Sequence, residues 1–305
     1  MSKTSKKAVK SDGLSRLILF MLVAAITMFG FSGWAWWHNI RSNPERTLMA
    51  AVENSLRTVS STRQVKQSNG AQSMEQGVEL SLSPSAVAHG FTTIKQESVS
   101  NTTISTEAIS TPTVEFVRYT DIVTDQKNSK GKSLDFSKLL NIWGKTSAEQ
   151  TGDLGALYGE SVLGVVPVAN LNVDDRQTLM SVVRNEKVYE FDEAKIERKI
   201  VNGRPTYIYP VSVKPTGYIK LLKEFGKIMN MKQLENIDPT QYADAQPMVF
   251  NLTVDVWSQR LTGITYEGDT RTETLGSYGI RRNVKLPSKS IPVAELEAKL
   301  QAVQE

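Results

Sequence analysis

The chain contains no cysteine and only two histidines among its 305 residues. The missing cysteine excludes disulfides, cysteine-ligated zinc, iron–sulfur clusters and a lipid-modified cysteine as a membrane tether. His38 and His89 have no second histidine at metal-ligand spacing, so we expect no metal site and no cofactor. A Ser–His–Asp triad would need one of these two residues, and the sequence has no G-x-S-x-G elbow.

Two further catalytic motifs are incomplete. Gly144-Lys145-Thr146 resembles the end of a phosphate-binding loop, but the position of the required upstream glycine is Leu139. Ser129 and Lys132 match S-x-x-K by spacing, but they belong to a charged loop rather than to a helix start. We therefore expect no enzyme activity, and a hydrolase that uses Ser129 and Lys132 is the weakest of the three functions considered.

The net charge of +4 is confined to the N-terminus. Residues 1–16 hold one acid and five basic residues, which are Lys3, Lys6, Lys7, Lys10 and Arg16. The remaining basic residues are balanced by acids and mixed with them, so no nucleic-acid surface is expected.

An uncharged apolar run follows at residues 17–37. A helix that rises about 1.5 Å per residue would span the hydrocarbon core of about 30 Å with this run. The preceding basic tail predicts a cytoplasmic N-terminus. Trp34, Trp36 and Trp37 at the far end are typical of a membrane–water interface. The sequence thus predicts a single-pass anchor in the plasma (cytoplasmic) membrane, with the C-terminal domain outside.

A cleaved signal peptide is the alternative interpretation of this run. Gly33 and Ala35 could be the small residues of a cleavage site, but bulky tryptophans surround them. The uncleaved anchor is favoured, followed by a short linker at residues 38–42.

Residues 43–305 are predicted to form one extracytoplasmic α+β domain. Asn43 and Pro44 start a helix, successive strands follow over 62–125, and 134–185 is a helical insertion. Asn202-Gly203 predicts a two-residue hairpin turn. Later elements are a helix from Pro215, a hairpin over 250–267, an edge strand at 278–286 and a helix at 293–303. The fold class is thus a large antiparallel, half-barrel-like sheet with helices packed on one face.

Several strands carry apolar or aromatic residues on both faces, which allows one face to contact an apolar ligand. The ligand-binding candidates are Phe116, Tyr119, Tyr207, Tyr209, Phe250, Leu252 and Val254. The alternative for each of them is an ordinary place in the sheet core.

Four segments together resemble the lipoprotein-carrier superfamily of LolA-like and LppX/LprG-like domains. They are NPERTLMAAVENSLRTV, YIYPVSV, GYIKLLKEFGKIM and VFNLTVDVWSQRLTGITYE. The resemblance implies an open half-barrel with helices over its concave face, which binds lipid or lipoprotein acyl chains. The chain departs from that pattern in two ways, because a transmembrane helix replaces the lipid-modified cysteine and residues 134–185 form a larger insertion.

These observations give two main hypotheses. The first is a membrane-anchored extracytoplasmic binding domain for lipid or another apolar ligand. The second is a cell-envelope protein-interaction or sensor module without a small-molecule ligand. The expected partners are accordingly the bilayer, a lipid and an envelope protein.

Overall fold

The computed structural model describes residues 26–28, 32–33, 42–97, 100–128, 131–147, 155–280 and 282–304. The chain divides into two units, residues 1–47 and residues 48–305. In the first unit, residues 26–28 and 32–33 are helical. The basic tail, most of the apolar run and nearly all of the linker lie outside the described residues. Among the residues that are described, none of the helices has the length and apolar character needed to cross a membrane.

The first long helix begins where the sequence predicts it. Helix α1 spans Pro44–Ser55, and Asn43 caps it by accepting the Arg46 backbone N–H at 3.0 Å. Leu48, Val52 and Leu56 are buried, since their spacing places them on one side of the helix.

The N-terminal half of the sheet is an antiparallel meander, as the alternating pattern of residues 62–125 predicts. Its strands are β1 (Ser60–Ser68), β2 (Gln72–Ser81), β3 (Val87–Gln96), β4 (Thr102–Ser110) and β5 (Val114–Thr124). Most of residues 81–113, a stretch rich in serine and threonine, therefore belongs to paired strands, in which threonine packs well.

The C-terminal half continues the same sheet. The further strands are β6 (Gly144–Ser147), β7 (Tyr189–Phe191), β8 (Glu197–Val201), β9 (Arg204–Val213), β10 (Met248–Asp255), β11 (Arg260–Tyr266), β12 (Thr272–Gly276) and β13 (Ile291–Pro292). The strand order is β13-β6-β5-β4-β3-β2-β1-β12-β11-β10-β9-β7, with β8 paired to β9. The pairing of β1 with β12 joins the two halves, and only β13 and β6 pair in parallel among the described strands. The result is an α+β fold with a large, open, mostly antiparallel sheet.

The Asn202-Gly203 turn is confirmed. Both residues have positive φ, 51° and 75°, and Val201 pairs with Arg204 across them. This is the backbone geometry of a tight hairpin, which asparagine and glycine adopt at little cost.

The region at 134–185 is less helical than predicted. Within residues 134–143, only 137–141 form turns and the rest are irregular, with Asn141 at a φ of 63°, and β6 follows directly. Leu139 of this segment packs with Phe136 and Leu296 in a separate cluster. The two helices are α2 (Ala156–Val162) and α3 (Val173–Asn185). An apolar run this short is not a stable helix by itself, so tertiary contacts of this kind decide its conformation.

The remaining helices are α4 (Pro215–Met229), α5 (Lys232–Glu235) and α6 (Val293–Gln304). The edge strand predicted at 278–286 is wrong, because the described residues of that segment form no strand. The last long strand is β12 instead, and the chain turns away after it, with Ser277 and Gly279 at positive φ.

One sheet face, termed the inner face, is defined by Val65, Val78, Leu252 and the residues paired with them. Leu252 pairs with both Tyr209 and Ile264, and Val78 pairs with Gly90. Directly paired residues point to the same side of a sheet. Helix α2 packs on this face, since a Cβ on Gly90 would lie 2.9 Å from the Leu157 side chain.

Candidate functional site

A cavity of about 730 Å³ lies on the inner face. It is lined by α2 and the following residues 163–165, the start of α4, strands β1 and β9–β11, and the turn between β11 and β12. This volume is in the range of small-molecule binding pockets, about 300–1,000 Å³. The cavity therefore has room for a ligand between the sheet and the helices.

One wall of the cavity is apolar. Leu163 and Val165 form its helix side, and Val213, Met248 and Phe250 form its sheet side. Val213 and Phe250 are buried, whereas Met248 is 44% exposed. Since Met248 pairs directly with Val213, its side chain points to the inner face at the outer end of the cavity.

Two tyrosines fix the loop that forms part of this wall. The Tyr218 hydroxyl donates to the Gly164 carbonyl at 2.6 Å, and the Tyr189 hydroxyl donates to the Val165 carbonyl at 2.8 Å. Burial raises the pKa of both tyrosines, so their hydroxyls stay protonated as donors. The loop therefore has a defined position against α4.

A second wall is charged, and it adjoins the first because Phe250 pairs directly with Tyr266. Arg63 lines the cavity, and its Nε lies 2.8 Å from Oε2 of Glu273, whose side chain is 3% exposed. The Nη1 atom of Arg63 donates to the Glu160 carbonyl at 3.0 Å, and its Nη2 atom lies 3.2 Å from Glu160 Oε1. Arg63 is thus fully engaged by a buried carboxylate on one side and by α2 on the other.

Arg271 and Tyr266 complete the charged wall. Arg271 Nε donates to Glu273 Oε1 at 3.0 Å, and the Tyr266 hydroxyl donates to the same oxygen at 2.6 Å. Burial alone raises the pKa of Glu273, but Arg63, Tyr266 and Arg271 outweigh it, and the net pKa lies below the ordinary value of 4.5. Glu273 is therefore a carboxylate at neutral pH.

Strand register explains how residues distant in sequence meet at this wall. Glu273 pairs directly with Val65 on β1 and with Ile264 on β11, so it points to the inner face. Arg63 lies two residues from Val65 and points to the same side. The side-chain contact then joins residues 210 positions apart.

Of the seven ligand-binding residues predicted from the sequence, Phe250 lines the cavity. Tyr207, Tyr209, Leu252 and Val254 are buried on the same face, farther along β9 and β10. They belong to the sheet core next to the cavity.

The other two predicted residues lie elsewhere. Tyr119 packs against the cluster of Phe136, Leu139 and Leu296. Phe116 is buried on the opposite face from Val117, with the Lys145 ammonium 5.9 Å from its ring centroid. Neither residue lines this cavity.

The sequence did not reveal the charged wall. Arg63, Glu160, Arg271 and Glu273 have no common motif, and each is an ordinary surface residue type. The available signal for Arg63 is the alternation of side chains along β1. Arg63 and Val65 share one face of this strand, and Val65 is fully buried. A charge at such a position needs a buried partner.

Several other predicted features lie outside the described residues. These are Ser129, the tryptophans Trp34, Trp36 and Trp37, and the basic residues Lys3, Lys6, Lys7, Lys10 and Arg16. Over the described part of the chain, no group of three or more His, Cys, Asp or Glu side chains is placed to hold a metal ion.

The low pKa of Glu273 predicts acid sensitivity. Because its folded-state pKa is below that of the unfolded chain, the stabilisation is present above the ordinary value and is lost as pH falls through the folded value. We expect the free energy of unfolding of the wild type to decrease below about pH 5. The free energy of unfolding of Glu273→Gln should decrease less steeply over the same pH range. Urea unfolding at several pH values measures both slopes. Glu75→Gln, at an exposed ion pair with Lys66, should keep the wild-type slope, and equal slopes for Glu273→Gln would contradict the prediction.

The fold and the cavity define a class of protein, an α+β domain with an open, mostly antiparallel sheet and a partly apolar cavity under its helices. Among solved structures, the chain is similar to the crystal structure of LprF from Mycobacterium bovis. The TM-score is 0.42 and the identity 13%, over 81% of this chain and 99% of that chain. The likeness concerns the fold alone. No protein-family model and no curated protein matches the chain.

Proposed function

We propose that the chain is a binding protein whose cavity takes a lipid or another apolar ligand. The observation that supports this most directly is the apolar wall of the cavity, which has a volume of about 730 Å³. This wall consists of Leu163, Val165, Val213, Met248 and Phe250. Transfer of an alkyl chain from water to such a wall is favourable by about 0.8 kcal/mol per buried CH₂.

The proposed setting is the outer face of the plasma (cytoplasmic) membrane. The uncharged run at residues 17–37 would anchor the chain once, with the basic residues 1–16 inside and the tryptophans at the outer interface. A tethered binding domain would meet lipid ligands at the bilayer itself. Its role would be binding rather than catalysis.

The test uses the full chain in lipid nanodiscs and a photoactivatable hexadecanol as a neutral apolar probe. We expect crosslinks in peptides that contain residues 163–165 and 247–250. Met248→Trp, which places a bulky indole ring at the outer end of the cavity, should reduce this labelling about tenfold, equivalent to ~1.4 kcal/mol. Mass spectrometry of the crosslinked peptides measures both the site and the yield.

Ile200→Trp is the matched control. Ile200 is 78% exposed on β8 and does not line the cavity, so this variant should label like the wild type. An absence of cavity labelling in the folded wild-type chain would contradict the proposal. The alternative, an envelope protein-interaction or sensor module, would then be favoured. Strand β8 supports that alternative, because its five residues are all exposed and it pairs with β9 alone among the described strands.

A further inference from the structure

We propose that the cavity selects an amphiphile with an anionic head group, a carboxylate or a phosphate, which binds Arg271 in place of the Glu160 side chain. This inference rests on the proposed function, since it assigns the chemistry of the ligand in the same cavity. Four features of the charged wall support it.

The first feature is the position of the Arg271 guanidinium. It lines the cavity, and its Cζ lies 5.4 Å from the centroid of the Tyr266 ring. One edge is held by Glu273 through Nε at 3.0 Å. The guanidinium is thus oriented by a buried carboxylate and an aromatic ring, and a planar cation of this kind matches carboxylate and phosphate oxygens.

The second feature is the loose hold on Glu160. Its Oε1 lies 3.5 Å from Arg271 Nη2 and 3.2 Å from Arg63 Nη2. Both distances exceed the range of about 2.7–2.9 Å for a strong charge-assisted hydrogen bond. The Glu160 side chain is 40% exposed, so it can turn into solvent at small cost.

The third feature is that Arg63 does not depend on the Glu160 carboxylate. Its Nε is held by Glu273, and its Nη1 donates to the backbone carbonyl of Glu160. If the Glu160 side chain turns away, Arg63 keeps these partners while Arg271 gains a free edge. The same movement would therefore open a position for an incoming anion while both arginines keep their contacts with Glu273.

The fourth feature is the charge balance. Arg63 and Arg271 face Glu160 and Glu273, so departure of the Glu160 carboxylate leaves one positive charge that an anionic head group can balance. The adjoining apolar wall accommodates an alkyl chain. Glu267 and Asp269 also line the rim, but both are exposed and their repulsion is screened by water and salt.

The experiment compares three photoactivatable probes with the same alkyl chain, namely palmitic acid, hexadecyl phosphate and hexadecanol. Each is added to the full chain in nanodiscs of neutral lipid, and cavity crosslinks are quantified. We expect one or both anionic probes to label the wild type more strongly than hexadecanol does. Arg271→Met should reduce anionic labelling about tenfold, and Arg271→Lys should reduce it less.

Glu160→Gln provides an effect of opposite sign in a variant that removes only an exposed charge. It should increase anionic labelling several-fold and leave hexadecanol labelling unchanged. Arg282→Met is the matched arginine control, because Arg282 pairs with Glu79 away from this cavity, and it should change none of the yields. Circular dichroism establishes that each variant is folded before labelling.

The outcomes separate the two proposals. A preference for the acid or for the phosphate identifies the head group, and either preference supports the inference. Cavity labelling by hexadecanol with no preference for an anion, or equal loss of all three probes in Arg271→Met, would overturn the inference and leave the apolar binding function standing. Absence of cavity labelling by all three probes would overturn both.

Discussion

Replacing Glu273 by alanine is expected to lower the free energy of unfolding by about 3–5 kcal/mol. The side chain is 3% exposed and accepts hydrogen bonds from Arg63, Arg271 and Tyr266. Its removal leaves the largely buried Arg63 guanidinium without its closest counter-ion. The penalty for an uncompensated buried charge is much larger than the net value of an intact pair.

Chemical unfolding in urea, followed by tryptophan fluorescence, measures this effect. Glu75→Ala is the matched control, since Glu75 forms an exposed ion pair with Lys66 at 3.2 Å and should cost at most about 1 kcal/mol. Arg63→Met and the double variant complete a thermodynamic cycle. We expect the double variant to lose less than the sum of the two single variants, because neither charge is then left alone. Additive losses would show that the two residues are not coupled.

Replacing Leu252 by alanine is expected to cost about 2–5 kcal/mol. Leu252 has 0% exposure and lies between Tyr209 and Ile264 in the centre of the C-terminal half-sheet. Truncation removes favourable transfer energy and leaves a space that paired strands cannot close. Leu286→Ala, at a half-exposed position, should change the stability by less than about 0.5 kcal/mol.

The Leu252→Ala variant also tests whether Leu252 belongs to the sheet core or to the ligand site. Leu252 was predicted as a ligand-binding residue, but it does not line the cavity. Labelling by photoactivatable hexadecanol, normalised to folded protein, should therefore remain at the wild-type level. A stable Leu252→Ala protein with strongly reduced labelling would show that Leu252 contacts the ligand after all.

Local chemistry made much of the fold predictable. The meander over β1–β5 follows from the alternation of apolar and polar residues along its strands. The β8–β9 turn follows from Asn202-Gly203, because these two residues readily adopt positive φ. Helices α1 and α4 begin at prolines in positions where the missing N–H costs nothing. In each of these segments the information lies within a few neighbouring residues.

The failures share the opposite property. Residues 134–143 have apolar residues at roughly helical spacing, but contacts with Leu296, far along the chain, determine their turns. The charged wall depends on the β1–β12 register, which brings Arg63 to Glu273. Phe250 lines the cavity and is predictable as an inward-facing apolar strand residue, whereas alternation on β1 marks Arg63 as inward-facing but does not identify Glu273 as its partner.

The β1–β12 pairing also limits the order in which the sheet can fold during synthesis. As the chain leaves the ribosome, β1 can pair with β2 at once, because the two strands are joined by a short turn. Its other edge must wait until residues 272–276 have been synthesised. During that interval β1 presents an unsatisfied backbone edge, the kind of surface on which nascent chains aggregate. The cavity is therefore completed late in synthesis, and a delay downstream of β9 would prolong the period in which this edge of β1 is exposed.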